Sequence, residues 1–447
     1  MVCTLEKVSA AESLSVEARR WRTLRLSVLE GGMAAVMVGV SESYLGALAV
    51  QLGHKDTALA LLITIPIFIG SLAQLGSSTL VGLLGTRRRI VVVGAGTQAL
   101  VHLAFLAIAL FEVRSFWLLL TAKVFYWASG LGISPAWNSW MGSLTSSIDR
   151  GRYFAVRSAV IQAVLLVAYA SAGVALEHGR STDSLLSTFG LLYTVACVAR
   201  LSSTLALARQ DDPLPDRERH KEPLLPRLVD AVRRSSLRVP VFHGLFHCAA
   251  CVGIPFFTPH MLRVLELDFV AFMALMATAT LTKAVTFPLW GRLAERTGLA
   301  PMLFASTIGT AFVALLWADT STYRWLVCIQ ALSGASWAAL EFAGFQLLLR
   351  SSSEEDRVAF FALSTSFTSM MQLVGSIVGS TLLAVVGAGY EVAFLASGVL
   401  RGLSALLLLS SVVAGLSRGP LPKVFFRIIS MRPDGGTVRT PIVSDDD

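Results

Sequence analysis

Long hydrophobic runs, broken by short polar turns, repeat along the whole chain. Twelve of them lie at about 28–52, 57–84, 90–111, 116–143, 154–177, 185–207, 239–262, 269–290, 300–317, 325–349, 359–386 and 391–416. Each comes close to or exceeds the roughly 20 apolar residues needed to cross a bilayer. Helix is the expected form, because hydrocarbon offers no partners to open backbone groups. Most of the turns are short, so consecutive helices must run antiparallel. The exception is 208–238. Its Pro-rich, charged start cannot bury a core and reads as a linker. From Pro226 to Arg238 apolar and basic residues alternate, a pattern that suits either the membrane surface or solvent.

The long segment divides the spans six from six, and the two sets share sequence. Residues 149–156 (DRGRYFAV) align without gaps on 356–363 (DRVAFFAL), 207 residues later. Residues 82–87 (GLLGTR) match 291–296 (GRLAER) at nearly the same offset, 209. Two matches at almost one offset indicate a chain built from two similar halves. The expected fold is an all-α polytopic membrane protein of 12 transmembrane helices in two pseudo-symmetric six-helix halves. The expected division is an N-terminal segment 1–27, a first half 28–207, a central loop 208–238, a second half 239–416, and a largely disordered tail 417–447.

Composition agrees: 54% of residues are hydrophobic and 15% charged. The net charge of +8 invites a nucleic-acid reading until its residues are placed. Of the 37 Lys and Arg, 27 fall on segments that share a side with the N-terminus and five on the opposite loops. That asymmetry predicts cytoplasmic termini and explains the basic charge by topology, so no nucleic-acid partner is expected. The polar, basic first 27 residues give no sign of a cleavable signal. The five cysteines form no extracellular framework, and Cys248 and Cys251 lie within an apolar run, where helix packing is the expected role.

These features resemble the major facilitator superfamily of secondary transporters. Gly291-Arg292-Leu293-Ala294-Glu295-Arg296-Thr297-Gly298, between spans 8 and 9, is similar to the family's G-x-L-A-[DE]-R-x-G turn. Its first-half counterpart keeps Gly82 and the basic cluster from Arg87 but has Thr86 where the acid belongs. The resemblance implies gating roles for Gly82, Arg87, Gly291, Glu295 and Arg296, and similarly for Asp149, Arg150, Asp356 and Arg357 in the repeated turns. The alternative is that the arginines only mark the cytoplasmic side. Asp149 and Asp356 also suit helix caps.

The resemblance further implies a cavity lined by spans 1, 4, 7 and 10. Polar side chains inside a span are costly and face a cavity or a partner by default. Span 10 places Gln330, Gly334, Trp337 and Glu341 on one face, and span 4 does the same with Lys123, Trp127, Gly130, Ser134 and Asn138. Span 7 offers His243, His247, Cys251 and Thr258, and span 1 has Glu42 near its midpoint. A carboxylate in hydrocarbon must be neutralised by a proton or paired with a cation, which is the chemistry proton coupling uses. Glu42 and Glu341 are therefore the candidate coupling or binding acids, with a static pair to Lys123 or Lys283 as the alternative. Lys123 is the candidate for an anionic group, snorkelling being its alternative. His243 and His247 make an incomplete metal site and are read as substrate contacts or packing. Glu30 is expected at the cytoplasmic interface.

No phosphate-binding G-x-x-x-x-G-K-[ST] run, Ser-His-Asp arrangement or H-E-x-x-H spacing occurs, so neither ATP, an enzyme activity nor a cofactor is expected. Span 5 lacks the G-P-x-x-x-G-G pattern of the family's drug/proton antiporters. The resemblance implies a monomeric alternating-access transporter of a small organic solute in a plasma or bacterial inner membrane. Protons or another ion would drive it, and Lys123 and the histidines favour an anionic or zwitterionic metabolite. The alternative is a transporter-like sensor or accessory protein that moves nothing.

Overall fold

The computed structural model describes residues 2–145, 150–212, 229–230, 233, 236–319, 322–352, 357–387, 389–408 and 425–442. Twelve helices in it are long and apolar enough to cross a membrane: Ala18–Gln51, Asp56–Leu75, Arg87–Leu110, Phe116–Thr145, Val156–Ser181, Leu185–Ala208, Arg238–Val264, Phe269–Thr297, Leu299–Trp317, Tyr323–Ser351, Ala359–Val386 and Tyr390–Leu408. We number them spans 1 to 12. Their burial is inverted relative to a soluble protein: Phe111, Trp117 and Val385 are more than 70% exposed, while Glu30, Arg157, Arg200 and Arg401 are 2% exposed or less. Apolar groups face outward and charges face inward, as a hydrocarbon solvent requires. The protein is an integral, multi-pass membrane protein.

Local chemistry sets the ends of the spans. Thr86, Ser115 and Asp268 cap spans 3, 4 and 8 by accepting bonds from the amides of Arg89, Leu118 and Ala271. Gly298 closes span 8 at φ +88°, a backbone region that suits glycine. The interiors pack on small residues. At Gly334 and Gly375 a Cβ would collide with the carbonyl oxygens of Ala279 and Cys248, so spans 8 and 10, and spans 7 and 11, meet backbone to backbone.

The helix of span 1 starts well before its apolar run, at Val2, because the polar stretch ahead of the run is helical too. Its polar side chains find partners in the first half and the central loop: Arg20 Nε donates to the Leu144 carbonyl at 2.6 Å, and Thr23 Oγ1 accepts from the Asp211 amide.

Each half opens with a broken helix. Span 1 tightens to a 3₁₀ turn at Glu42–Tyr44, and span 7 does so at Ile254–Phe256, around Pro255, before ending in a π turn at His260–Val264. Irregular backbone at membrane depth is tolerated where protein surrounds it or a cavity adjoins it.

The two halves meet in one apolar cluster that includes Tyr44, Trp127 and Tyr169 from the first half and Phe257, Trp317 and Phe394 from the second. Most of the polar bonds between them lie at the face remote from the chain ends. There the Glu177 carboxylate accepts from the Phe269 amide at 2.8 Å, and Arg263 reaches Asp56. Toward the other face Ser366 Oγ donates to the Ser71 carbonyl at 3.2 Å.

The expected disorder of 417–447 does not hold for 425–442. These residues form two antiparallel strands, β1 (Phe425–Met431) and β2 (Thr437–Ile442), joined by a turn over Arg432–Gly436. The segment has too little apolar surface to fold alone, and the space between the halves supplies its partners. Most of the expected linker (213–228), the end of the expected span 12 (409–416), the tail residues 417–424 and 443–447, and the side chains of Arg150 and Arg357 with all of Asp149 and Asp356 lie outside the described residues.

Candidate functional site

The break in span 1 turns Glu42 inward, where its carboxylate lies 3.9 Å from Lys123 Nζ on span 4, both side chains under 10% exposed. Trp127 follows Lys123 one turn along span 4 and is buried. In the second half Lys283 Nζ of span 8 donates to Glu341 Oε1 of span 10 at 2.8 Å. Each half thus presents one buried acid paired with one lysine of its own. Lys123 is buried and paired and does not snorkel.

The tip of the β1–β2 hairpin lies between these pairs. Ser430 Oγ approaches Glu42 Oε1 at 3.5 Å. The amide and hydroxyl of Thr437 donate to Glu341 at 3.0 and 3.1 Å. Gln330 Nε2 donates to the Pro433 carbonyl at 2.8 Å, Ser333 Oγ donates to the Asp434 carbonyl, and Arg432 Nη2 donates to Gln372 at 2.9 Å. Gly436 lies against the Trp337 ring, where a Cβ would sit 3.2 Å away. The expected faces of spans 1 and 10 therefore meet around one strand turn.

The remaining candidates are dispersed. His247 stands 5.9 Å from the Trp337 ring and 6.3 Å from His243, whose own ring packs on Gly344. Asn138 follows a break in span 4 at Ile133 and lies about 16 Å along the span from Trp127, away from both acids. Beside Lys123 a small cavity of about 20 Å³ remains, lined by Gly46, Leu59 and Thr258 among others. Groups of three metal-ligating side chains do not occur among the described residues.

Glu30 departs from its expected interfacial place. It is 1% exposed, 3.1 Å from Arg157 Nη2 and 3.8 Å from Arg200 Nη1. Arg157 also stacks over Trp137 at 4.7 Å, and Arg200 donates to Gln98 at 2.6 Å. Two buried cations hold the acid inside the first half, where no interface competes for it.

Sequence reasoning missed the hairpin and its Asp434. The signal was present: Arg-Pro-Asp-Gly-Gly between two runs of β-forming residues is a turn sequence, with Pro setting φ and Gly435 adopting φ +86°.

The sequence model of the Major Facilitator Superfamily matches residues 244–433. A mutant form of the nucleoside transporter NupG superposes with a TM-score of 0.65 at 12% identity, covering 88% of this chain and all of that one. The human organic anion transporter MFSD10 (TETRAN) gives 0.55 at 13% identity, covering 87% and 99%. The chain has the major facilitator superfamily fold. No curated protein sequence matches it.

The two turns that resemble the superfamily's motif take different forms in the two halves. Arg87 is 3% exposed and binds Asp212 at 2.7 Å, with Ser139 and Ser143 on its other amino group. The acid absent at Thr86 is thus supplied to Arg87 from the start of the central loop, while Thr86 caps span 3. Glu295 and Arg296 are exposed, Gly82 borders open space, and Gly291 touches only the edge of Phe342. Asp149 and Asp356 lie outside the described residues. Arg150 and Arg357 begin helices, but their side chains are not described.

Proposed function

We propose that this protein is a secondary transporter of a small organic solute, working by alternating access and driven by protons. The observation that carries the reading is the pair of buried acid–lysine couples, Glu42–Lys123 and Glu341–Lys283, one in each half and both facing the space between the halves. A carboxylate there is neutral only when protonated or paired, so proton arrival and solute arrival compete for the same charges. Rocking of the halves about this space would expose it to either side in turn. The asymmetry of basic residues supports a cytoplasmic location for both chain ends. Lysines at the site favour an anionic or zwitterionic metabolite, and the protein acts as a monomer in a plasma or bacterial inner membrane.

The test is solute flux into proteoliposomes under an imposed proton gradient of either sign. The panel comprises organic anions, zwitterions and nucleosides, with Glu42→Gln and Glu341→Gln beside the unmodified protein. At least one solute is expected to accumulate. The Gln variants should lose gradient-driven accumulation at least ten-fold while keeping solute exchange. Binding without flux would replace this reading with that of a non-transporting sensor.

A further inference from the structure

Each half buries one arginine deep in its last span, and the two are neutralised differently. Arg200 of span 6 lies 3.8 Å from Glu30 of span 1, an acid of its own half. Arg401 of span 12 is held by neutral groups of its half: Ser397 Oγ at 3.1 Å, the Thr310 carbonyl at 3.1 Å and the Ala250 carbonyl at 3.3 Å. The spans of the second half contain three acids, and none serves it. Glu341 is tied to Lys283, Glu295 is exposed at one end of span 8, and Glu391 lies at the start of span 12, about 15 Å along the helix from Arg401. The counter-charge comes from the hairpin: Asp434 Oδ2 lies 3.6 Å from Arg401 Nη2, with both side chains fully buried.

Asp434 is held mainly through the groups around it. Its Oδ1 accepts from the Gly436 amide at 3.2 Å, its carbonyl accepts from Ser333, and its Oδ2 meets no hydrogen-bond donor. A buried guanidinium that relies on a carboxylate from outside its own helical half has the chemistry of an anion site with its anion in place. The surrounding groups, Gln330, Ser333, Trp337 and Glu341, are the same ones that meet the hairpin between the two halves.

We infer that Arg401 is the anion-binding group of the central cavity, that its ligand is the carboxylate of a small organic acid, and that Asp434 is a tethered competitor for that place. The inference rests on the reading of the central cavity as a solute site. When the hairpin tip withdraws, Arg401 is left as a desolvated cation facing the cavity. A solute carboxylate then restores the pairing, and a neutral solute of the same shape does not. While Glu42 and Glu341 are ionised, Lys123 and Lys283 each keep an acid of their own half, so Arg401 is the cation that takes the solute carboxylate in that state.

The experiment uses the full-length protein and equilibrium binding rather than flux. Acetate, succinate, benzoate and phenylacetate are the probes, each with its amide as control. The variants are Asp434→Asn, which keeps the shape and the acceptor for Gly436 while removing the charge, and Asp434→Asn combined with Arg401→Gln. At least one acid should bind Asp434→Asn ten-fold or more tightly than it binds the unmodified chain, with no gain for its amide. Loss of Arg401 should cancel that gain. Should Arg401→Gln fail to fold, Arg401→Lys keeps the charge without the planar fork and should lower the gain several-fold. If no acid gains affinity in Asp434→Asn, or if acid and amide gain alike, Arg401 is a structural cation and the inference falls. Flux that persists in that case would leave the transporter reading standing. Acid binding that gains without any flux would sink the transporter reading and keep this one.

Discussion

Arg263 crosses from the second half to Asp56 of the first, with Nη1 3.0 Å from the carboxylate. Its Nη2 donates to the His54 carbonyl at 2.7 Å, and Tyr390 donates to the same Asp56 oxygen at 2.9 Å. The cluster bridges the halves at the face remote from the chain ends, next to the contact of Gly46 with Thr258. In the proposed transport cycle it acts as a latch, because opening this face must break it.

Arg263 and Asp56 are about one-third exposed, so solvent screens the pair and its own worth is about 0.2–1 kcal/mol. Loss of the His54 bond as well brings Arg263→Ala to roughly 1–2 kcal/mol, a five- to thirty-fold shift between closed and open states. The measure is the labelling rate of Gly46→Cys by a membrane-impermeant thiol reagent, in a background lacking the five native cysteines. Arg263→Ala should speed labelling by about that factor. An unchanged rate would remove the latch from the account.

Glu30 between Arg157 and Arg200 should be among the least replaceable polar residues of the first half. Glu30→Gln leaves two buried guanidinium groups without their shared counter-charge, at a cost of roughly 3–5 kcal/mol. The expected result is a large drop in melting temperature in detergent and poor recovery of monodisperse protein. Substitution of the exposed Glu295 should change neither. Equal stability of the two variants would mean that Glu30 is solvated rather than paired.

Glycines separate by their surroundings. Gly375→Val and Gly334→Val push side-chain carbon into the backbone of a neighbouring span, and each should destabilise by about 1–3 kcal/mol or more. At Gly82 an added methyl group would have no neighbour within 4 Å, and the residue lies in a helix of ordinary backbone. Gly82→Ala should therefore be neutral or slightly stabilising. Thermal unfolding of the three variants checks the ranking. A transport defect in stable Gly82→Ala would support the gating role expected of this turn.

Much of the fold was legible. The twelve spans, the division into similar halves, and the faces carrying Glu42 and Glu341 follow from local patterns, because a helix in lipid must be apolar for about 20 residues and repeats its faces every 3.6. Even the pairing of Glu341 with Lys283 was open as an alternative. The place of Glu30 was not legible, since its partners Arg157 and Arg200 lie 127 and 170 residues away and nothing in the spacing links them.

The tail shows the division most clearly. Composition alone made 417–447 a largely disordered tail, with 421–430 (LPKVFFRIIS) suited to the membrane interface and the end from Met431 unfolded. Its Arg-Pro-Asp-Gly-Gly turn was written in the sequence, but the place of that turn was not. Only the meeting of spans 1, 8, 10, 11 and 12 creates the partners that hold it: Glu42, Lys283, Gln330, Gln372 and Arg401. Sequence determined which segments enter the membrane, because transfer into hydrocarbon depends on each segment's own side chains. Tertiary structure decided which buried charges meet, because ion pairing depends on distances that only packing sets.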